Sequence, residues 1–128
     1  MPLTPETLPE YLATCQRVLH LVDWIIVFDA SGPPQDEESI ACVGFEEHGR
    51  AHLRFAAEFW LAHPDKQRAI VCHELGHIML RRAAEAVEAF EGEIPSKAWR
   101  IWSRCWEAAE EAHVEHLARL LAPTLPLP

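Results

Sequence analysis

His73-Glu74-Leu75-Gly76-His77 is the stretch of this chain whose residue types and spacing can do chemistry. Residues four apart on an α-helix stand one turn apart on the same face, so two imidazoles in this spacing can both reach one cation. Neutral imidazole nitrogen suits a divalent metal, and a glutamate beside the first histidine can orient and deprotonate an attacking water. Ile70, Val71, Leu75, Ile78 and Met79 surround the motif with apolar groups. A histidine pair buried beside a carboxylate needs partners, and a metal provides them. Gly76 lets a neighbouring backbone approach closely. The expectation is a metal centre in which His73 and His77 are ligands and Glu74 is the general base.

A catalytic site of this kind has three protein ligands and keeps one position open. No further histidine follows closely, since His77 is succeeded by Ile78-Met79-Leu80-Arg81-Arg82. The third donor is therefore sought in the last helical stretch. At about 100° per residue, Trp99, Trp102, Trp106, Ala109, His113, Leu117 and Leu120 form one apolar stripe. Arg100, Arg104, Glu107, Glu111, Glu115 and Arg119 gather opposite and read as a solvated face of charge pairs. Glu110 breaks this order by lying among Trp106, Val114 and Leu117. A carboxylate on a buried stripe is costly unless paired or metal-bound, which makes Glu110 the expected third ligand. Glu111 is the main alternative, because a helix rotation of one residue exchanges the two. His113 is a further alternative ligand, or an oxyanion stabiliser, or a core histidine. Tyr11, the one tyrosine, is a second oxyanion candidate. Cys72 points about 100° away from His73 around the helix and reads as a packed thiol. His116 reads as structural, and the tryptophans as core.

These residues need elements to position them. Thr7-Leu8-Pro9-Glu10 is a helix start, with Thr7 as N-cap, and Leu8, Leu12, Cys15, Leu19 and Val22 predict an amphipathic helix near 8–22. Trp24 to Phe28 suits a buried strand, and Ser31 to Glu38 reads as a surface loop. Ile40–Glu47 and Arg50–Phe55 flank His48-Gly49 and predict a hairpin. The second of these strands has one apolar and one wet face, and its edge is a place for an extended peptide to add. Pro64 opens a helix running to about Arg82; residues 83–90 either extend it or form a turn. Ser96 caps a last helix from Lys97 to about Ala122. The fold class is α+β: an N-terminal helix, a small antiparallel sheet, the helix bearing the histidine motif and a C-terminal ligand helix. It is read as a single domain over 1–128, with irregular tails at 1–7 and 123–128.

Composition excludes other classes. Of 128 residues, 49% are hydrophobic and 24% charged, which suits a globular chain. Eleven basic against twenty acidic residues give a net charge of −9, so direct nucleic-acid binding is not expected. No apolar run nears the roughly 20 residues of a membrane span, and the first residues lack the pattern of a signal peptide. The expected location is cytoplasmic. The four cysteines form no Cys-x-x-Cys pair and read as reduced thiols.

The stretch from the hairpin through Pro64-Asp65-Lys66-Gln67-Arg68-Ala69-Ile70-Val71-Cys72-His73-Glu74-Leu75-Gly76-His77, with Glu110 to Pro123 (EEAHVEHLARLLAP), resembles the ImmA/IrrE family of small metallopeptidases. These are gluzincins, in which a helix-borne glutamate completes a zinc site. Their second motif reads roughly E-x-E-A-N-x-F-A-x-x-L-L-x-P. Aligned without gaps on Leu120-Leu121-Ala122-Pro123, it lays its first glutamate on Glu110. Here Ala112 stands at the second glutamate, Val114 at the asparagine and His116 at the aromatic, so a one-residue slip to Glu111 stays open. The resemblance implies a minimal zincin-like domain holding one Zn2+, with Mn2+ as the alternative ion. It also implies a zinc-dependent endopeptidase acting on a protein or peptide partner, such as a helix-turn-helix regulator. The contrasting expectation is a catalytically weak zincin-like module that binds metal for stability or recognition.

Overall fold

The computed structural model describes residues 1–34 and 38–128. Part of the 31–38 loop expected from the sequence, residues 35–37, lies outside the described residues. The first helix, α1 (Leu8–Val18), buries Leu8, Tyr11, Leu12 and Cys15, the face that the apolar spacing marks. It ends short of residue 22 because His20 adopts a left-handed φ of 56°, and the Leu21 N–H turns back to the Gln16 carbonyl at 2.8 Å. Thr7 makes no side-chain cap; its hydroxyl oxygen accepts instead from the Thr4 N–H at 2.9 Å.

Three strands follow: β1 (Ile25–Phe28), β2 (Ala41–Glu46) and β3 (Arg50–Phe55), in the order β1-β3-β2. The β2–β3 hairpin is antiparallel, with Val43 opposite Leu53 and Glu46 opposite Arg50. Its turn takes in Glu47 as well as His48 and Gly49, the last two at φ 65° and 71°. Glycine adopts such a φ freely, whereas His48 does so at a cost. β1 joins the hairpin in parallel, with Ile26 opposite Ala51. β3 is therefore central, and its edges are already used, contrary to the expectation that a peptide adds there. The strand nearest the histidine motif is β2.

One face of the sheet carries Ile26, Phe28, Val43, Phe45, Leu53 and Phe55 into the core. The short α2 (Ala57–Trp60), which the sequence pattern does not announce, places Phe59 in stacked contact with Phe55, ring centroids 4.2 Å apart. α3 (Pro64–Met79) buries Val71, Cys72, Leu75 and Ile78 against this layer. The chain bends at Leu80 into a separate helix, α4 (Arg81–Glu88), rather than extending α3. α5 (Ser96–Leu121) then returns beside α3. Ser96 is its first residue and Pro95 stands at the cap without a side-chain bond. The terminal tails are packed, with Leu3 and Leu125 both buried, and the C-terminal one opens with a 3-10 turn over Ala122–Thr124, where the sequence reading expects an irregular tail from residue 123. No helix among the described residues is long and apolar enough to cross a membrane.

Candidate metal centre

α3 is anchored at its start by His63, whose ring nitrogen accepts from the Asp65 N–H at 3.3 Å, with Pro64 in the first turn, where its missing N–H costs nothing. Turning Val71, Cys72, Leu75 and Ile78 inward leaves His73 and His77 half-buried along the side that faces α5. The two helices meet at Gly76. A Cβ on that residue would stand 3.0 Å from Cγ1 of Val114, the one buried residue of α5. This close approach fixes the rotation of α5 about its axis.

With Val114 as the contact, one turn back along α5 brings Glu111 in front of both imidazoles. One of its carboxylate oxygens lies 2.9 Å from His73 Nε2 and the other 3.3 Å from His77 Nε2. Donor atoms of His73, His77 and Glu111 all lie within 4.8 Å of one another. A four-coordinate divalent ion with bonds of about 2.0–2.2 Å requires donors roughly 3–4 Å apart; the two carboxylate–imidazole spans lie near that range, so these residues could hold such an ion. Two imidazoles and one carboxylate leave a coordination position open.

Among the described residues, the carboxylate that the structure brings together with both imidazoles is thus that of Glu111, whereas the apolar stripe suggests Glu110. Glu110 lies instead on the far side of the second ring, 3.7 Å from His77 Nδ1. Glu115 stands likewise 3.5 Å from His73 Nδ1. A carboxylate thus stands behind each imidazole, the place from which such groups orient the rings in a metal site. Neither role was legible for Glu115, which the helical wheel assigns to solvent. The stripe misleads because the most apolar side of α5 is not its buried side. Trp102 is 42% exposed and Leu120 59%, while the side carrying Ser103, Glu110, Val114 and Ala118 is turned towards the protein. His113 is exposed, is not among the residues whose donors converge, and lines a small cleft with Leu80, Trp106, Ala109 and Glu110. Tyr11 is also outside the triad: its hydroxyl donates to the Pro126 carbonyl at 2.8 Å and ties α1 to the C-terminal tail. His116 is exposed. Cys72 is buried, and burial pushes its thiol up to about 11, as expected of a packed cysteine.

Glu74 is 7% exposed and makes no hydrogen bond or ion pair among the described residues. Burial, and then the neighbouring Glu111 carboxylate, push its pKa up to about 7. It lines a groove in two arms that share Ser39, Ala41, His73, Glu74 and Glu111. One arm, about 670 Å³, runs between β2, α4 and the first half of α5. The other, about 700 Å³, runs past the start of α3 and the end of α5. The triad sits where the arms join.

Comparison with protein families, with curated proteins and with solved structures gives no match to this chain. What the centre can do follows from its donors. A divalent ion at His73, His77 and Glu111 would face an open groove with a buried, protonatable carboxylate beside it. Trp99 and Trp106, expected in the core, form part of the groove wall.

Proposed function

We propose that this chain is a zinc-dependent endopeptidase that hydrolyses peptide bonds of a protein partner. The observation that carries the reading is Glu74: a buried carboxylate without a hydrogen-bond partner, lining the same groove as a triad whose donors suit zinc. A carboxylate left unpaired in such a place costs stability, and groups kept at that cost are concentrated at working sites. The open, two-armed groove suits a polypeptide better than a small molecule.

In this reading His73, His77 and Glu111 would hold the ion, with Glu115 and Glu110 behind the rings to steady them. When bound, zinc supplies Lewis acidity, polarising a carbonyl and lowering the pKa of water. Glu74 takes a proton from the attacking water and delivers it to the leaving amine. The resemblance to ImmA/IrrE metallopeptidases supports a regulatory protein as the partner, a helix-turn-helix repressor among them.

The test is zinc quantification on protein purified without chelators, together with hydrolysis of quenched fluorescent peptide pools by wild type and Glu74→Gln. Both proteins should carry about one zinc per chain, and only wild type should cleave. A Glu74→Gln variant that matches wild type in every functional assay would instead assign the chain to the metal-binding module.

A further inference from the structure

The two arms of the groove differ in charge. The arm past α3 and the end of α5 balances Glu38, Asp65 and Glu115 with Lys66, Arg68 and Arg119. The arm beside α4 carries Glu88, Glu91, Glu107 and Glu110 against Arg81 alone. Arg81 is already engaged: it lies 3.0 Å from Glu88 and 3.4 Å from Glu85, with its guanidinium 4.6 Å above the Phe45 ring. Glu91 and Glu107 make no ion pair among the described residues. Charges of one sign lining a cleft build a negative potential there. Trp99 and Trp106, two turns apart on α5, supply the wall of this arm and are only half-buried. Flat aromatic faces beside carboxylates attract a cation on an aliphatic stem. Glu74, 7% exposed and without a hydrogen bond among the described residues, lines this arm where it meets the other.

We propose that the arm between α4 and the first half of α5 is a specificity pocket for a lysine or arginine side chain of the bound polypeptide. The stem lies against Trp99 and Trp106, and the cation is met by Glu91 and Glu107. This rests on the reading of the groove as a peptide-hydrolysing site and names the substrate class that the site selects.

The experiment uses zinc-loaded Glu74→Gln protein, which holds peptides without cutting them. Two pools of randomised peptides are compared, identical except for a central position fixed as arginine or as citrulline, its uncharged isostere. The arginine pool should be retained roughly fivefold or more over the citrulline pool at low salt, the sum of a cation–π contact and two partly exposed charge pairs. The preference should fall towards equality when Glu91→Gln and Glu107→Gln are added, and at high salt. Both glutamates are exposed, so their replacement leaves the core untouched. Equal retention of the pools, retention of neither, or a preference that survives the double substitution overturns the proposal. Cleavage of the same pools by wild type is scored separately. Cleavage without an arginine preference removes the pocket and keeps the peptidase, and preference without cleavage does the reverse.

Discussion

Gly76 and Val114 approach so closely that a Cβ on the glycine would stand 3.0 Å from the valine Cγ1. Such a contact is tighter than side chains ordinarily accept, and it lies one turn along α5 from the carboxylate that faces both imidazoles. The absence of a side chain at position 76 thus sets how near α5 comes and which of its glutamates reaches the histidines.

Gly76→Ala should therefore impair metal binding without weakening α3 itself. Alanine favours the helix by about 1 kcal/mol over glycine, so local propensity pushes stability up while the added methyl pushes α5 away. Zinc affinity, measured by competition with a chromogenic chelator, should fall by roughly tenfold or more, as a misplaced donor loses its bond length. Val114→Ala added to the same chain removes the clashing methyls and should restore most of the loss. An undiminished affinity in Gly76→Ala would show that the helix spacing does not govern the site.

The glutamates of α5 should separate by role. Glu111→Gln replaces one of the two oxygens lying 2.9 and 3.3 Å from the imidazoles by NH2 and removes the negative charge, and zinc should be lost on purification. Glu110→Gln touches only the rear of His77, at 3.7 Å, and should keep the metal with an affinity reduced about 10- to 100-fold. Metal analysis on both variants in parallel decides between them, and loss confined to Glu110→Gln would return the ligand role to the residue that the apolar stripe favours.

That exchange shows where sequence reading stops. The imidazole pair is legible because four-residue spacing is a local property of a helix, and so is the hairpin, whose His48 and Gly49 both take positive φ. The rotation of α5 is a tertiary matter. Trp102 and Leu120 belong to its most apolar face yet stay exposed, because Val114 alone makes the buried contact. A functional face that must carry carboxylates is where the rule of apolar-inward fails. The central position of β3 was hidden for a similar reason: the parallel partner β1 lies far away in sequence. Phe59 and Gln67 were equally silent, since nothing local distinguishes a buried glutamine from a solvated one.

Gln67 is fully buried, and its amide joins three segments. Oε1 accepts from the Leu3 N–H at 2.7 Å, and Nε2 donates to the carbonyls of Leu3 and Phe59 at 3.3 and 3.0 Å. Gln67→Leu keeps the volume but leaves the buried Leu3 N–H and carbonyl unpaired, while Phe59 keeps the Ala62 N–H on its carbonyl at 3.2 Å, a loss of about 2–4 kcal/mol. The melting temperature should drop by roughly 10 °C for a chain of this size. A drop within about 1 °C would mean that water reaches these groups when the amide is removed.

The metal-free protein should carry the cost of Glu74 in its pH profile. Burial raises the Glu74 pKa from 4.5 to about 7 in the folded chain. A carboxyl with a raised folded-state pKa favours folding while protonated, so its contribution is complete below 4.5 and is lost as pH rises through about 7. At about pH 8 the chelator-treated wild type therefore bears a buried charge costing on the order of 3 kcal/mol, and Glu74→Gln does not. Thermal melts of the two metal-free proteins should nearly coincide at about pH 5, with the variant several degrees more stable at about pH 8. Saturating zinc should narrow the gap, because a cation at His73, His77 and Glu111 stabilises the Glu74 carboxylate. A difference between the two proteins that stayed constant from acid to alkaline pH would show that Glu74 titrates as an ordinary, solvated side chain, and with it the case for a buried proton acceptor at the centre would fail.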